Sequence, residues 1–146
     1  MGSPIYRVII EYGYRKKGAV RAYQYKIIDT FVLTNDLEFI KKDKNSILIK
    51  SLGFDNYISC LKYVNGVIGN SSSGIIEVPS FNIGTVNIGK RQYGRIKAPS
   101  VIDVDFDNKN IRKSIDKILS LKFQKKIMKI KNPYFKKNTS KIIFKK

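Results

Sequence analysis

Apolar residues fall into two kinds of run along this chain. Some runs are short and continuous. Ser46-Ile47-Leu48-Ile49-Lys50, Gly66-Val67-Ile68-Gly69, Thr85-Val86-Asn87-Ile88 and Val101-Ile102-Asp103-Val104 each predict a short strand. Other apolar positions recur at helical spacing. Tyr57, Ile58, Leu61 and Val64 predict a helix that Asp55 can cap, after a turn at Ser51-Leu52-Gly53. Ile111, Ile115, Ile118 and Leu119 predict another, capped by Asn108 or Asn110. That pattern continues through Phe123, Ile127 and Ile130 until Asn132-Pro133 breaks it, and a last helix can start near Thr139. Between the second and third of the four strands, a Ser/Gly loop leads into a helix-like Ile75-Ile76-Glu77 that stops near Pro79.

The start of the chain is less regular. Ile5 to Ile10 and Thr30 to Leu33 have strand character, and the basic, Tyr-rich stretch between them, with Gly13 and Gly18, predicts a turn or an irregular hairpin. Asp36 can cap a short helix through Lys42. From residue 46 onward, strands and helices alternate about every 20 residues. The pattern predicts an α/β fold, a Rossmann-like parallel sheet with helices on both faces. Such sheets bind ligands beyond the carboxyl ends of their strands.

Length and composition fit this picture. The chain has 146 residues and is 42% hydrophobic, enough for one domain with one core. The formal charge is +18, from 29 Lys+Arg against 11 Asp+Glu. Such a balance raises a nucleic-acid partner. The lysines are spread along the chain, however, and are densest after Arg112, without an arginine-rich patch interleaved with stacking aromatics. Their abundance beside Ile and Asn reads as a compositional bias of the source, and nucleic acid is the weaker expectation. The one cysteine, Cys60, allows no internal disulfide and reads as a small buried hydrophobe. There is no histidine, so the commonest general base and the commonest zinc ligand are missing; no metal and no cofactor are expected. Met1-Gly2-Ser3-Pro4 shows no leader pattern, and no apolar run approaches the ~20 residues that span a bilayer. The expectation is a cytoplasmic protein with no membrane partner.

The informative run is Gly69-Asn70-Ser71-Ser72-Ser73-Gly74-Ile75-Ile76-Glu77-Val78-Pro79-Ser80, which follows one predicted strand and opens one predicted helix. A helix start offers unpaired N–H groups and a positive dipole end to a phosphate, and the serines add hydroxyl donors. Gly74 lets backbone approach a ligand closely. Glu77, one turn further on, can accept two hydrogen bonds from a ribose diol. The same run is as readily a plain N-cap with a serine-rich turn. After the next strand, Gly89-Lys90-Arg91-Gln92-Tyr93-Gly94-Arg95 brings Arg91 and Arg95 to the same carboxyl edge, either as diphosphate ligands or as solvated loop arginines.

Taken together, Ser51-Leu52-Gly53, the Gly69–Ser80 run, the Thr85–Arg95 run and Ser100-Val101-Ile102-Asp103 closely resemble the C-terminal domain of UDP-N-acetylglucosamine 2-epimerases. The wording Asn-Ser-Ser-Ser-Gly-Ile-Ile-Glu with Arg-Gln-x-Gly-Arg is similar to the hydrolysing branch, whose members release N-acetylmannosamine or a related diacetamido sugar for sialic-acid-like sugars. The resemblance covers about residues 38–146; residues 1–37 stay unassigned. It implies one half of a two-domain, glycosyltransferase-B-type architecture. By position it implies that Ser71 and Ser72 meet the diphosphate, Glu77 the ribose hydroxyls and Arg91 the UDP moiety, with Ser51 to Tyr57 near the uracil. The implied partners are UDP or a UDP-N-acetylhexosamine and a separate N-terminal half. In the family, proton removal at C2 with loss of UDP precedes addition of water. The acids and bases for this come mostly from the N-terminal domain, with a His early in the C-terminal one. No residue of this chain is therefore assigned as catalytic, and the chain alone is expected to be inactive. Asp36, Asp55 and Asp103 read as caps or solvated loop groups. The pattern departs from the family where Gly84 replaces a usual Pro, and where Phe135 and Lys137 replace usual glycines. The alternatives are a basic nucleic-acid-binding domain and a fragment of a related nucleotide-sugar glycosyltransferase.

Overall fold

The computed structural model describes residues 52–137 in full and, ahead of them, the backbones of three strands at 8–14, 22–28 and 46–49. The strands are β1 (Val8–Tyr14), β2 (Ala22–Ile28), β3 (Ser46–Ile49), β4 (Gly66–Gly69), β5 (Gly84–Ile88) and β6 (Val101–Val104). The helices are α1 (Phe54–Leu61), α2 (Ser73–Ile76), α3 (Asn108–Leu119) and α4 (Leu121–Ile127), with a 3₁₀ turn at Val78–Phe81. The six strands form one sheet in the order β3-β2-β1-β4-β5-β6.

The parallel part of the sheet runs β1-β4-β5-β6. Apart from Asn87, glycine and β-branched residues fill β4 and β5, and both strands are buried over most of their length, as parallel strands covered on both faces must be. Adjacent residues point to opposite faces, which decides what covers what. Val67 joins Tyr57, Leu61, Val64, Val78 and Ile83 on one face, under α1 and the 3₁₀ turn. Ile68 and Val86 join Ile111, Ile115 and Ile118 of α3 on the other, with Phe123 of α4 packed against them. The expected Rossmann-like arrangement, with helices on both faces, is therefore present around β4, β5 and β6. Cys60 is half-buried at the margin of the first cluster, in keeping with its reading as a small hydrophobe.

Several expectations need correction. The strand at 46–49 does not lie beside the strand at 66–69. It is the sheet edge, antiparallel to β2, and two strands separate it from β4. β1 and β2 pair antiparallel without a break from Val8 opposite Ile28 to Tyr14 opposite Ala22, so the stretch read as a turn or an irregular hairpin holds regular strand, with Gly13 inside β1, and β1 joins β4 in parallel. The first helix is capped at Gly53 (φ 70°), with Asp55 inside its first turn. The N-cap of α3 is neither Asn108 nor Asn110 but Asp107, whose Oδ1 accepts the Asn110 amide at 2.7 Å. Asp107 has the extended backbone a cap needs, whereas Asn108 is already helical. The strand at 30–33, the helix at 36–42 and the helix near Thr139 lie outside the described residues.

The cap assignment is testable by urea unfolding. Asp107→Ala should cost about 1 kcal/mol, because one orphan helix donor loses its acceptor. Asn108→Ala should stay within about 0.5 kcal/mol of wild type. The reverse order of effects would restore Asn108 as the cap.

Candidate functional site

Parallel pairing places Gly69 beside Asn87, so β4 and β5 end at the same height. The segments that follow them emerge side by side at the carboxyl edge of the sheet. The Ser71–Ser73 loop therefore lies where a phosphate-binding loop must lie in a fold of this kind.

The loop's own bonding is informative. The Ser71 side chain is buried and its Oγ accepts the Ser73 amide at 3.3 Å, which is a local serine turn. Ser72 is the N-cap of α2, yet its hydroxyl makes no capping bond. Its carbonyl takes the amides of Ile75 and Ile76 at 3.0 and 2.9 Å. The Ser72 hydroxyl is thus not used up in the N-cap that the plain structural reading requires. Ser73 donates from Oγ to the Tyr57 hydroxyl at 2.6 Å and so ties the loop to α1. Of the stretch expected near a base, Phe54 is exposed, Tyr57 is buried, and Ser51 lies outside the described residues.

α2 is only four residues long. A single turn aligns few peptide dipoles, so the expected macrodipole contribution is small; local N–H groups and hydroxyls are what the loop can offer an anion. Gly74 is also corrected. It is buried against β5, where a Cβ would lie 2.8 Å from Thr85 Cγ2, and Thr85 Oγ1 donates to its carbonyl at 2.9 Å. Glycine here serves helix-to-strand packing, not close approach of a ligand.

Glu77 follows α2, and its amide donates to the Ser73 carbonyl at 3.0 Å. The carbonyl of the same peptide, that of Ile76, accepts from Asn132 Nδ2 at 2.7 Å, and that nitrogen also reaches Ser80 Oγ at 2.6 Å. The Glu77 peptide is therefore held at both ends. Its carboxylate is not: Oε2 is buried with no hydrogen-bond partner among the described residues. An acceptor oxygen in that state has room for a donor brought by a ligand.

Arg91 is exposed, and Nη1 reaches Asn70 Oδ1 at 3.4 Å, a long contact that leaves most of the guanidinium for other partners. Arg95 is exposed on the same loop. Gln92, which the sequence reading passed over, is 3% exposed, and its Nε2 donates to the Asn70 carbonyl at 2.8 Å. Its Oε1 is buried and unpartnered among the described residues. The only sequence signal for it was its place inside the Arg-Gln-x-Gly-Arg wording. Asn132, read as a helix break and as part of a segment resembling the family's closing one, was likewise given no site role.

Asp103 is exposed, as expected of a solvated group, but it belongs to a strand and not to a loop. It sits in β6, where Oδ1 accepts from the buried Asn87 at 2.6 Å and Oδ2 pairs with Lys97 at 2.8 Å. With Gly89, Lys90, Tyr93 and Asp105 it lines a cleft of about 280 Å³ at the same edge of the sheet. Among the described residues no group of three metal-ligating side chains occurs, and no helix is long and apolar enough to cross a membrane.

A family model described as UDP-N-acetylglucosamine 2-epimerase matches residues 21–146, from just before β2 onward. The chain is 45% identical over 100 residues to polysialic acid biosynthesis protein P7 of Escherichia coli, covering 68% of this chain and 25% of that protein. It is 38% identical over 84 residues to a GDP/UDP-N,N'-diacetylbacillosamine 2-epimerase (hydrolyzing) of Campylobacter jejuni, covering 58% and 21%. To the UDP-N-acetylglucosamine 2-epimerase of Neisseria meningitidis it is 35% identical over 75 residues, covering 51% and 20%. The matched region spans a quarter or less of each of these relatives.

The packing role of Gly74 can be separated from any ligand role in the absence of ligand. Gly74→Ala should destabilise the fold by about 1–3 kcal/mol, because the new methyl meets Thr85 Cγ2. Adding Thr85→Ser removes that carbon and keeps the hydroxyl, so it should recover part of the loss. A Gly74→Ala variant as stable as wild type would contradict the packing argument.

Proposed function

Since the chain belongs to the UDP-N-acetylglucosamine 2-epimerase family, we propose that residues 38–146 are the UDP-holding unit of a hydrolysing 2-epimerase. The reaction proposed for the whole enzyme converts a UDP-N-acetylhexosamine and water into the epimerised free sugar and UDP, for sialic-acid-like sugars. The observation that carries the reading is the buried Oε2 of Glu77, unpaired among the described residues, beside a serine loop whose Ser72 hydroxyl is not used in capping.

In this reading Ser71 and Ser72 take the diphosphate through loop amides and hydroxyls. Arg91 adds a guanidinium from the neighbouring loop. Glu77 accepts the ribose hydroxyls, which supplies the donor its carboxylate lacks. The exposed ring of Phe54 offers a face for the base. All four assigned residues bind; none moves a proton. Removal of the C2 proton needs a positioned base near the sugar. The chain has no histidine, so the proposal assigns that chemistry to groups carried outside it, on a separate N-terminal half.

The basic nucleic-acid reading has its own support in the charge. Between Asn108 and Lys137 every acid or base is Lys or Arg except Asp116. A polyanion would be held there with a steep dependence on salt. The two readings separate by titration at moderate salt. UDP should bind saturably near the millimolar level, about −4 kcal/mol, because in this reading the other wall of the cleft belongs to the N-terminal half. Glu77→Ala should weaken UDP by about 1–3 kcal/mol and weaken inorganic pyrophosphate less, since only UDP brings a diol. Arg91→Ala should also weaken UDP. Tighter UDP binding in Glu77→Ala, as expected when one negative charge is removed from a non-specific polyanion binder, would rule out the ribose assignment.

Turnover is a second check. The purified chain should release no free N-acetylmannosamine from UDP-N-acetylglucosamine; robust release would mean that catalytic groups lie within it.

A further inference from the structure

Two loops must hold their spacing if one diphosphate is to meet both Ser72 and Arg91. Their own contacts are weak. Arg91 touches Asn70 at 3.4 Å from an exposed position, too long and too solvated to fix a loop. The contact that joins them is one residue along. Gln92 turns inward, is 3% exposed, and donates from Nε2 to the Asn70 carbonyl at 2.8 Å across 22 residues of sequence. Asn70 is the residue between the end of β4 and Ser71. The Gln92 bond therefore sets the height of the serine loop against the loop that carries Arg91.

The other half of the same carboxamide makes this side chain a poor choice for stability alone. Oε1 is buried without a partner among the described residues. Buried side-chain polar atoms are normally satisfied, so an orphan acceptor on this amide calls for an explanation. An apolar side chain of the same length would fill the space without that orphan acceptor, but it could not hold Asn70. We infer that Gln92 is a positioning residue. It holds the Ser71–Ser72 loop and the Arg91 loop at the separation a nucleoside diphosphate needs, at some expense in stability. This inference rests on the nucleotide reading above.

The test pairs affinity with stability. Gln92→Met keeps the length and removes both polar atoms. It should weaken UDP about tenfold while the melting temperature stays within about 2 °C of wild type or rises. In an Arg91→Ala background the same substitution should weaken UDP less than about twofold, because the residue it positions is already gone. An equal loss in both backgrounds, no loss in either, or a loss of affinity that tracks a lowered melting temperature would overturn the inference. If Gln92→Met does not fold, the wild type decides the matter. Gln24, Gln92 and Gln124 are its three glutamines, so ¹⁵N-glutamine labelling gives three carboxamide signals, assigned through Gln24→Ala and Gln124→Ala. The Gln92 signal should shift as UDP saturates the protein; a signal that stays still at saturation overturns the inference. Failure of the wild type to bind UDP would instead remove the underlying reading, and the inference with it.

Discussion

The parallel pairing of β4 with β5, Gly66 to Gly84 through Gly69 to Asn87, is the constraint on which the site depends. It ends two strands at one level and sends two polar loops out over one edge. Everything else at that edge refines this placement. Thr85, two residues before the end of the pairing, receives Gly74 and seats α2 on the sheet. Asn70, one step after it, accepts from Gln92. A slip of one residue in this register would turn Thr85 away from α2 and point Val86 at it. The serine loop would then lose both its seat and its partner loop.

The two faces of the sheet divide the labour. The face under α3 and α4 is an apolar layer with a strongly basic outer surface, and its buried residues are aliphatic. The α1–α2 side and the carboxyl edge carry most of the buried polar groups, among them Ser71, Thr85, Asn87, Gln92 and Asn132, while Ser100 lies ahead of β6. Each hydrogen bond there contributes only about 1 kcal/mol net, while each orphan acceptor costs a comparable amount or more. Among the described residues Glu77 Oε2 and Gln92 Oε1 are two buried acceptors without a partner at this edge, and Ser100 Oγ, ahead of β6, is a third such atom. The basic surface of α3 and α4 carries no such unsatisfied group among the described residues; its lysines are solvated and indifferent to which anion approaches.

Much of the core fold was legible in the chain, and the reasons are local. Gly66–Gly69, Thr85–Ile88 and Val101–Val104 are short apolar runs bounded by turn residues, and each became a strand, with β5 starting one residue earlier at Gly84. The apolar spacing of Ile111, Ile115 and Ile118 identified the buried face of α3. What was not legible depends on partners distant in sequence. Nothing near Ser46–Ile49 says that it pairs with β2 and not with β4. The choice between Asp107 and Asn108 as cap turns on one residue's backbone angles, since either side chain could serve. At the site, Ser71, Ser72, Glu77 and Arg91 were found because they belong to recognisable wording. The structure puts them on two adjacent loops, and their meeting with a nucleotide remains the proposal. Gln92 and Asn132 were missed because an amide in a loop gives no local sign of the carbonyl it will reach, 22 or 56 residues away.

Backbone amide mapping of the ¹⁵N-labelled chain during a UDP titration tests the account most directly. A nucleotide site at the carboxyl edge predicts saturable shifts concentrated in residues 70–77 and 90–92, with the amides of α3 and α4 unchanged at moderate salt. Shifts concentrated instead on the lysine-bearing surface of α3 and α4, growing without saturation and vanishing as salt is raised, would show a basic surface attracting any anion and would contradict the site proposed at the ends of β4 and β5.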